Sequence, residues 1–400
     1  MRDLNEVLES AVTDNAAPFI VAMAGDSNGV NFAGAAGQAA EGVDASVDTV
    51  FRIFSMTKAV GSIAATILID RGTMSMHTPV VDILPEWENL KVLDHFKGDT
   101  PVLRAPKTTA TIRHLATHTS GLEYEFWNPD VPAYMEHTGH PTVLSGLRAA
   151  LNYPLTSDPG TRWGYGIGID WLGQVVEALD GRRIDHFCED EIFGPLGMSN
   201  TAFEPDLLAD RLADVSIRGE DGNFGPMELA PPPMPEVYGM GHALYSTAGD
   251  YMKLLRMVLN KGELDGNRVL SEPAIAQMCS DQMGELSFEK MVSVSPLSAD
   301  VELEGDPSHS FMAALNRCDI PGKRAAGTMS WAGVLNSHYW VDPENDVAAV
   351  FMTQSLPFVE PAFMEAYDAY ERAVYASLDD TEIDLTDSAQ PAVAEASVEV

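Results

Sequence analysis

Cysteine is scarce in this chain: Cys188, Cys279 and Cys318 are the only three in 400 residues. An odd number at wide spacing excludes a disulfide framework, and no pair has the close spacing of a zinc clasp. The expected state is reduced and the expected location cytoplasmic. Basic residues are also few, 24 Lys and Arg against 60 Asp and Glu, for a formal charge of −36. Nucleic acid needs clustered cations to meet its phosphates, so no such partner is expected. An anionic membrane surface is repelled by the same charge. Long apolar runs are absent as well. The best candidate, Ala59 to Ile69, stops at Asp70 and Arg71, short of the roughly 18 residues that a bilayer span requires. Met1-Arg2-Asp3-Leu4-Asn5-Glu6 has neither the basic nor the apolar region of a secretory signal. No Walker A sequence occurs, and the glycines at 164, 166 and 168 lack dinucleotide-binding spacing. No cofactor is implied.

What remains is a chain with 45% hydrophobic residues, ample for sizeable cores. Residues 2–15 carry apolar side chains at helical spacing. Phe19 to Ala24 and Val30 to Ala36 read as strands around the turn-rich Gly25-Asp26-Ser27-Asn28-Gly29. Val50 to Phe54 is a short apolar run, after which Ser55 opens a helix that stops at Gly72. Between about 75 and 300 the periodicity is mostly helical, as in Ile169 to Leu179 before Gly181 and in the helix that Thr247 and Asp250 begin. Strand patterning returns at Thr328 to Leu335, Tyr339 to Val341 and Val347 to Thr353, with a turn at Asp342 to Asp346; a last helix covers about 360–378. The predicted fold is α/β (α+β): an antiparallel sheet flanked by helices and built from residues 1–75 and 300–378, with a mainly helical domain inserted at 76–299. Residues 379–400, acidic and without aromatics, are expected to form a mobile tail.

Several patterns could carry chemistry. A Ser-x-x-Lys pair at the start of a helix places a hydroxyl and an amine a turn apart on one face, a nucleophile beside a base. It occurs twice, at Ser55 to Lys58 and at Ser287 to Lys290. Lys58 precedes a long apolar helix, where desolvation favours the neutral amine. Lys290 has Glu285 and Glu289 nearby to keep it protonated, so the second pair reads as solvated surface. Taken alone, Ser55 reads equally as a helix-capping serine. Gly25-Asp26-Ser27-Asn28-Gly29 matches the G-x-S-x-G elbow letter for letter, but that motif needs strand, turn, then helix. A strand-like stretch follows Ser27, which favours a hairpin. His114 and His118 lie one turn apart without the glutamate of a H-E-x-x-H zinc site, so their expected role is structural and no metal is assigned. Tyr124, Phe126, Trp127, Trp163, Tyr238 and Met240 could line an apolar pocket or simply pack.

Beyond Ser55 and Lys58, four motifs occur in order: Phe51 to Lys58, His118-Thr119-Ser120-Gly121-Leu122, Pro159 to Tyr165, and Gly239-Met240-Gly241 followed by Tyr245 to Tyr251. Together they resemble the serine β-lactamase and penicillin-binding-protein superfamily over residues 10–375, closest to class C β-lactamases and family VIII carboxylesterases. The resemblance implies that Ser55 is the nucleophile, with Lys58 and Tyr165 as base and proton relay. Which takes the first proton stays open. It also implies that Trp331-Ala332-Gly333 stands where lactamases have Lys-Thr-Gly, and that the N–H groups of Ser55 and Val334 form the oxyanion hole. Ile167 replaces the asparagine two residues after the tyrosine, and Trp331 replaces a cation. The implied substrate-binding set is thus Trp331, Gly333, Ile167, Trp127 and Tyr238. The implied activity is hydrolysis of short to medium neutral carboxylic esters through an acyl-enzyme. A β-lactamase, a D-amino-acid peptidase and a transacylase are the alternatives on the same fold, and a non-catalytic binding protein is a more remote one. The expected partner is a small-molecule ester, and the expected assembly a monomer or homodimer.

Overall fold

The computed structural model describes residues 3–229 and 234–387. An eight-stranded antiparallel sheet takes three strands from one end of the chain and five from the other. The first three are β1 (Phe19–Gly25), β2 (Val30–Ala40) and β3 (Val43–Asp44). Next come β4 (Val50–Arg52) and β5 (Tyr245–Thr247), which pair with each other outside this sheet. The C-terminal contribution is β6 (Pro307–His309), β7 (Ala314–Asn316), β8 (Met329–Gly333), β9 (Ser337–Asp342) and β10 (Val347–Met352). The order across the sheet is β6-β7-β8-β9-β10-β1-β2-β3. The two ends meet at its centre, where β1 pairs with β10 in a register that sets Val21 opposite Met352.

The central strands show why their sequences run apolar without alternation. Every residue of β1 and β10 is buried. Ile20, Ala22 and Ala24 point with Val347, Ala349 and Phe351 into a core closed by α1 (Leu4–Thr13) and α5 (Pro361–Asp387). Phe19, Val21 and Met23 point with Ala348, Val350 and Met352 into the main core on the other face. Both faces of a strand with period-two side chains are therefore covered. Burying each larger side chain contributes about 1.5–3 kcal/mol.

Helix α2 (Thr57–Asp70) is buried over nearly its whole length and packs on α3 (Gly168–Asp180). A Cβ at Gly61 would lie 2.8 Å from Ile169 Cγ2 and 3.0 Å from Met240 Cβ, so a glycine lets the two helices approach. Helix α4 (Ala248–Leu259) is capped by Thr247, whose hydroxyl accepts the Asp250 N–H. It packs on β10 and β1. The end of the stretch 76–299 thus lies against the sheet. The same stretch also holds hairpins, among them Val92–Lys97 with Thr100–Arg104 and Val215–Arg218 with Phe224–Met227, where the sequence reading expected mostly helix. These short strands are half exposed and irregular, so they lack the apolar alternation that marks a strand in sequence. The last helix runs to Asp387 rather than to about 378. Of the expected acidic tail, residues 388–400 lie outside the described residues.

Candidate active site

The segment after β4 turns sharply. Phe54 has a φ of +41°, a left-handed value for a bulky residue, and Phe54–Met56 form one turn of 3-10 helix before α2 begins. Ser55 is the middle residue of that turn rather than the first of the α-helix. Its N–H lies in the first turn and has no intrahelical acceptor. The turn rests on β8: a Cβ at Gly333 would lie 2.3 Å from the Ile53 carbonyl oxygen, so only glycine admits this approach.

Three groups gather around the Ser55 hydroxyl. Tyr165 donates its phenol to Ser55 Oγ at 2.7 Å. Lys58 Nζ lies 3.2 Å from the same oxygen. The Trp331 indole N–H donates to the Tyr165 hydroxyl at 3.1 Å. Lys58, only 2% exposed, has two further acceptors, the Gly241 carbonyl at 2.8 Å and the Tyr124 hydroxyl at 3.0 Å. Contacts to Ser55, Tyr124 and Gly241 thus fix the position of Nζ. The rings of Tyr165 and Tyr124 flank the amine at 4.8 and 5.0 Å, within cation–π range.

Full desolvation, reinforced by the nearby Asp170 carboxylate, pushes the Tyr124 phenol well above its ordinary range, so it stays neutral and holds the amine in place. Behind Tyr165 stand two neutral imidazoles. Burial holds His118 well below the usual histidine range and pushes His309 down to about 4. His118 meets the Tyr165 ring edge-on at 4.8 Å and stacks on Trp331 at 6.3 Å. It lies past the short helix Ile112–Ala116, in a left-handed conformation, whereas His114 closes that helix's capping box.

Ser55 opens into a cavity of about 570 Å³, mostly apolar, lined around the hydroxyl by Tyr124, Phe126, Trp127, Tyr165, Trp331 and Val334. The candidate residues Ser55, Lys58, Tyr165, Trp331, Trp127 and Val334 are therefore brought together, and Gly333 adjoins them through its contact with Ile53. Others are not. Ile167 is fully buried at the N-terminus of α3 and does not line the cavity. Tyr238 lies on a separate small cavity, meets the Phe203 ring at a tilt and donates to Glu204. Trp163 stacks on Phe288, and Met240 packs against Gly61 and Gly173. Aromatic and apolar residues near a motif pack more often than they line a site.

The rival motifs lie elsewhere. Ser27 sits in the turn between β1 and β2, and its hydroxyl donates to Asp346 at 2.7 Å. Lys290 pairs with Asp300 at 3.1 Å rather than with Glu285 or Glu289; Glu289 accepts from Arg162. Tyr124 is the residue whose place at the amine was missed. Its contact with Lys58 spans 66 positions, and only its proximity to the His118–Leu122 motif pointed towards the site.

The description "Beta-lactamase" belongs to the family model that matches residues 4–373. "Acyltransferase calJ" of Penicillium decumbens is 30% identical over 344 residues, covering 82% of this chain and 81% of that protein. "Lovastatin esterase" of Penicillium rubens is 29% identical over 328 residues, covering 78% and 80%. A mutant of simvastatin synthase from Aspergillus terreus superposes with a TM-score of 0.82 at 27% identity, covering 94% of this chain and 95% of that one. The chain belongs to the beta-lactamase family and carries the fold shared by its serine hydrolases and acyltransferases.

Proposed function

We propose that this protein is a carboxylesterase that works through an acyl-enzyme on Ser55. The observation that carries the reading is the convergence of Lys58 and Tyr165 on one serine oxygen. Ser55 Oγ attacks the ester carbonyl and gives its proton to the Lys58–Tyr165 pair. The N–H groups of Ser55 and Val334 receive the oxyanion, a type of contact whose loss typically costs about 10²–10³ in rate. Tyr165 then returns the proton to the leaving alkoxide, which departs as the alcohol. Water attacks the acyl group and frees Ser55.

The cavity wall selects for neutral substrates. Trp331 offers an indole N–H where a lactamase offers an ammonium. Two cations in the vicinity are committed to carboxylates: Arg162 to Glu123 and Glu289, and Arg324 to Glu371. A substrate carboxylate would therefore be desolvated without a partner, whereas an apolar acyl chain loses nothing.

A second reading, transfer of the acyl group to an alcohol, is favoured by the cavity itself. About 570 Å³ of mostly apolar space accommodates an acyl group together with a bulky alcohol. Relatives named as an acyltransferase and as an esterase both occur. The deciding assay sets p-nitrophenyl esters of several chain lengths beside a chromogenic cephalosporin, with and without an added apolar alcohol. Phosphonate labelling should fall on the Ser55 peptide; label elsewhere would refute the reading. Ester product appearing with the alcohol marks the transferase.

A further inference from the structure

Helix α3 carries a carboxylate where its neighbours are Ile169, Trp171 and Leu172. Asp170 is 0% exposed. Its Oδ1 accepts the Gly241 N–H at 3.2 Å and lies 3.4 Å from His242 Nδ1, while Oδ2 and that Nδ1 each have no hydrogen-bond partner. A carboxylate buried at this cost calls for a reason. We propose that His242, beside the Asp170 carboxylate, is the general base that takes the proton from the acceptor, water or alcohol, when the acyl group leaves Ser55. This rests on the acyl-enzyme reading above.

Local backbone chemistry fits the assignment. A Cβ at residue 239 would sit 2.2 Å from His242 Cε1 and 2.5 Å from Asp170 Oδ1; one at residue 241 would sit 2.4 Å from Asp170 Oδ2. The glycines thus clear the space in which imidazole and carboxylate meet. A carboxylate at Nδ1 favours the tautomer that leaves Nε2 free to accept a proton. His242 forms part of the wall of the cavity that holds Ser55. It also directly follows Gly241, whose carbonyl holds Lys58, so one turn of backbone fixes both the amine and the imidazole.

The existing cluster is gathered on Ser55 Oγ: Lys58 Nζ is held by Ser55, Tyr124 and Gly241, and the Tyr165 hydroxyl lies between Ser55 and Trp331. A base on another wall divides the work. The acceptor oxygen bonds to the acyl carbon as Nε2 takes its proton. The acyl–Oγ bond then breaks, and Ser55 recovers a proton from the Lys58–Tyr165 pair. The imidazolium releases its proton to solvent and the pair regains one, which closes the balance.

The test separates the two half-reactions with p-nitrophenyl butyrate in rapid mixing. In His242→Gln the first turnover of p-nitrophenol should stay within about twofold of wild type, while steady-state kcat falls on the order of 10²–10³, so that a stoichiometric burst stands out. Mass spectrometry should find the trapped acyl group on the Ser55 peptide. Asp170→Asn should show the same split at about tenfold. Imidazole added to His242→Ala should restore turnover, which no merely structural role would allow. A first turnover slowed as much as the steady state, or no revival by imidazole, overturns the proposal. Acyl label away from Ser55 overturns instead the reading on which it rests.

Discussion

The Trp331 indole donates to the Tyr165 hydroxyl, and so a neutral donor stands where a lactamase places a cation. Short to medium neutral esters should therefore exceed nitrocefin in kcat/KM by on the order of 10²-fold or more, because each unpaired polar group costs about 1–3 kcal/mol. Trp331→Lys should narrow the gap by offering a charge-assisted contact to the lactam carboxylate. Parallel kcat/KM measurements on both substrates check this. Equal efficiencies in the wild type would refute it.

Ser55→Ala should abolish ester cleavage, since no other hydroxyl meets both Lys58 and Tyr165 among the described residues. Ser27→Ala and Ser287→Ala should keep most of the activity. Ser27 is tied to Asp346 in its hairpin turn. Initial rates on p-nitrophenyl butyrate decide the matter, and a dead Ser27→Ala enzyme would move the nucleophile to the elbow motif.

Lys58→Ala and Tyr165→Phe should each lower kcat by about 10²–10⁴. Tyr124→Phe should cost less, about tenfold, because it removes one of three anchors of the amine and none of the contacts to Ser55. Steady-state kinetics on the three variants give the ranking. If Tyr124→Phe proves worse than Tyr165→Phe, the two phenols have exchanged roles.

Much of this site is legible in the sequence because its parts sit in local motifs. Ser55 and Lys58 share one helix start, and Tyr165 and Trp331 each fall in a short pattern with punctuating glycines. The sheet is legible for a similar reason, since β1 and β10 are apolar without interruption. Relationships made by tertiary approach are not legible. Tyr124 reaches Lys58 from a loop, and Tyr238, next to a motif glycine, turns away into another cavity. Asp170 could have been noticed as a charge set between Ile169 and Trp171 near a helix start, a pattern that marks either a cap or a functional group.

Gly333→Ala should cut kcat/KM at least about 100-fold, by pushing β8 away from the Ile53 carbonyl and with it the Val334 N–H from the oxyanion position. Its neighbour Ala332→Gly should be far milder. Kinetics with circular dichroism distinguish the two, and a normal rate in the Gly333→Ala enzyme would show that β8 takes no part.

Stability should fall as the pH drops below about 6.5. Burial pushes His309 down to about 4 and His338 to about 3, so the unfolded chain binds protons that the folded chain refuses. Each contributes a loss of about 1.4 kcal/mol per pH unit between its unfolded and folded values. Carboxylates held low, such as Asp281 beside Arg317, lose their contribution only below about 4. Urea midpoints across pH 7 to 4.5 should show the slope, and His338→Phe, set among Phe358, Phe363 and Tyr367, should flatten it. An unchanged slope in that variant would remove His338 from the account.

The pairing of β1 with β10 joins segments nearly the whole chain apart, and Ser55 leans on β8 from the same late half. Contacts so distant in sequence close slowly, because the loop between them must be ordered first. A ribosome delivers Ser55 and Lys58 long before Trp331, Gly333 and β10 leave its exit tunnel. During that interval the turn that carries Ser55 lacks the strand on which it rests. Synthesis itself thereby sets the moment at which this corner of the fold can close.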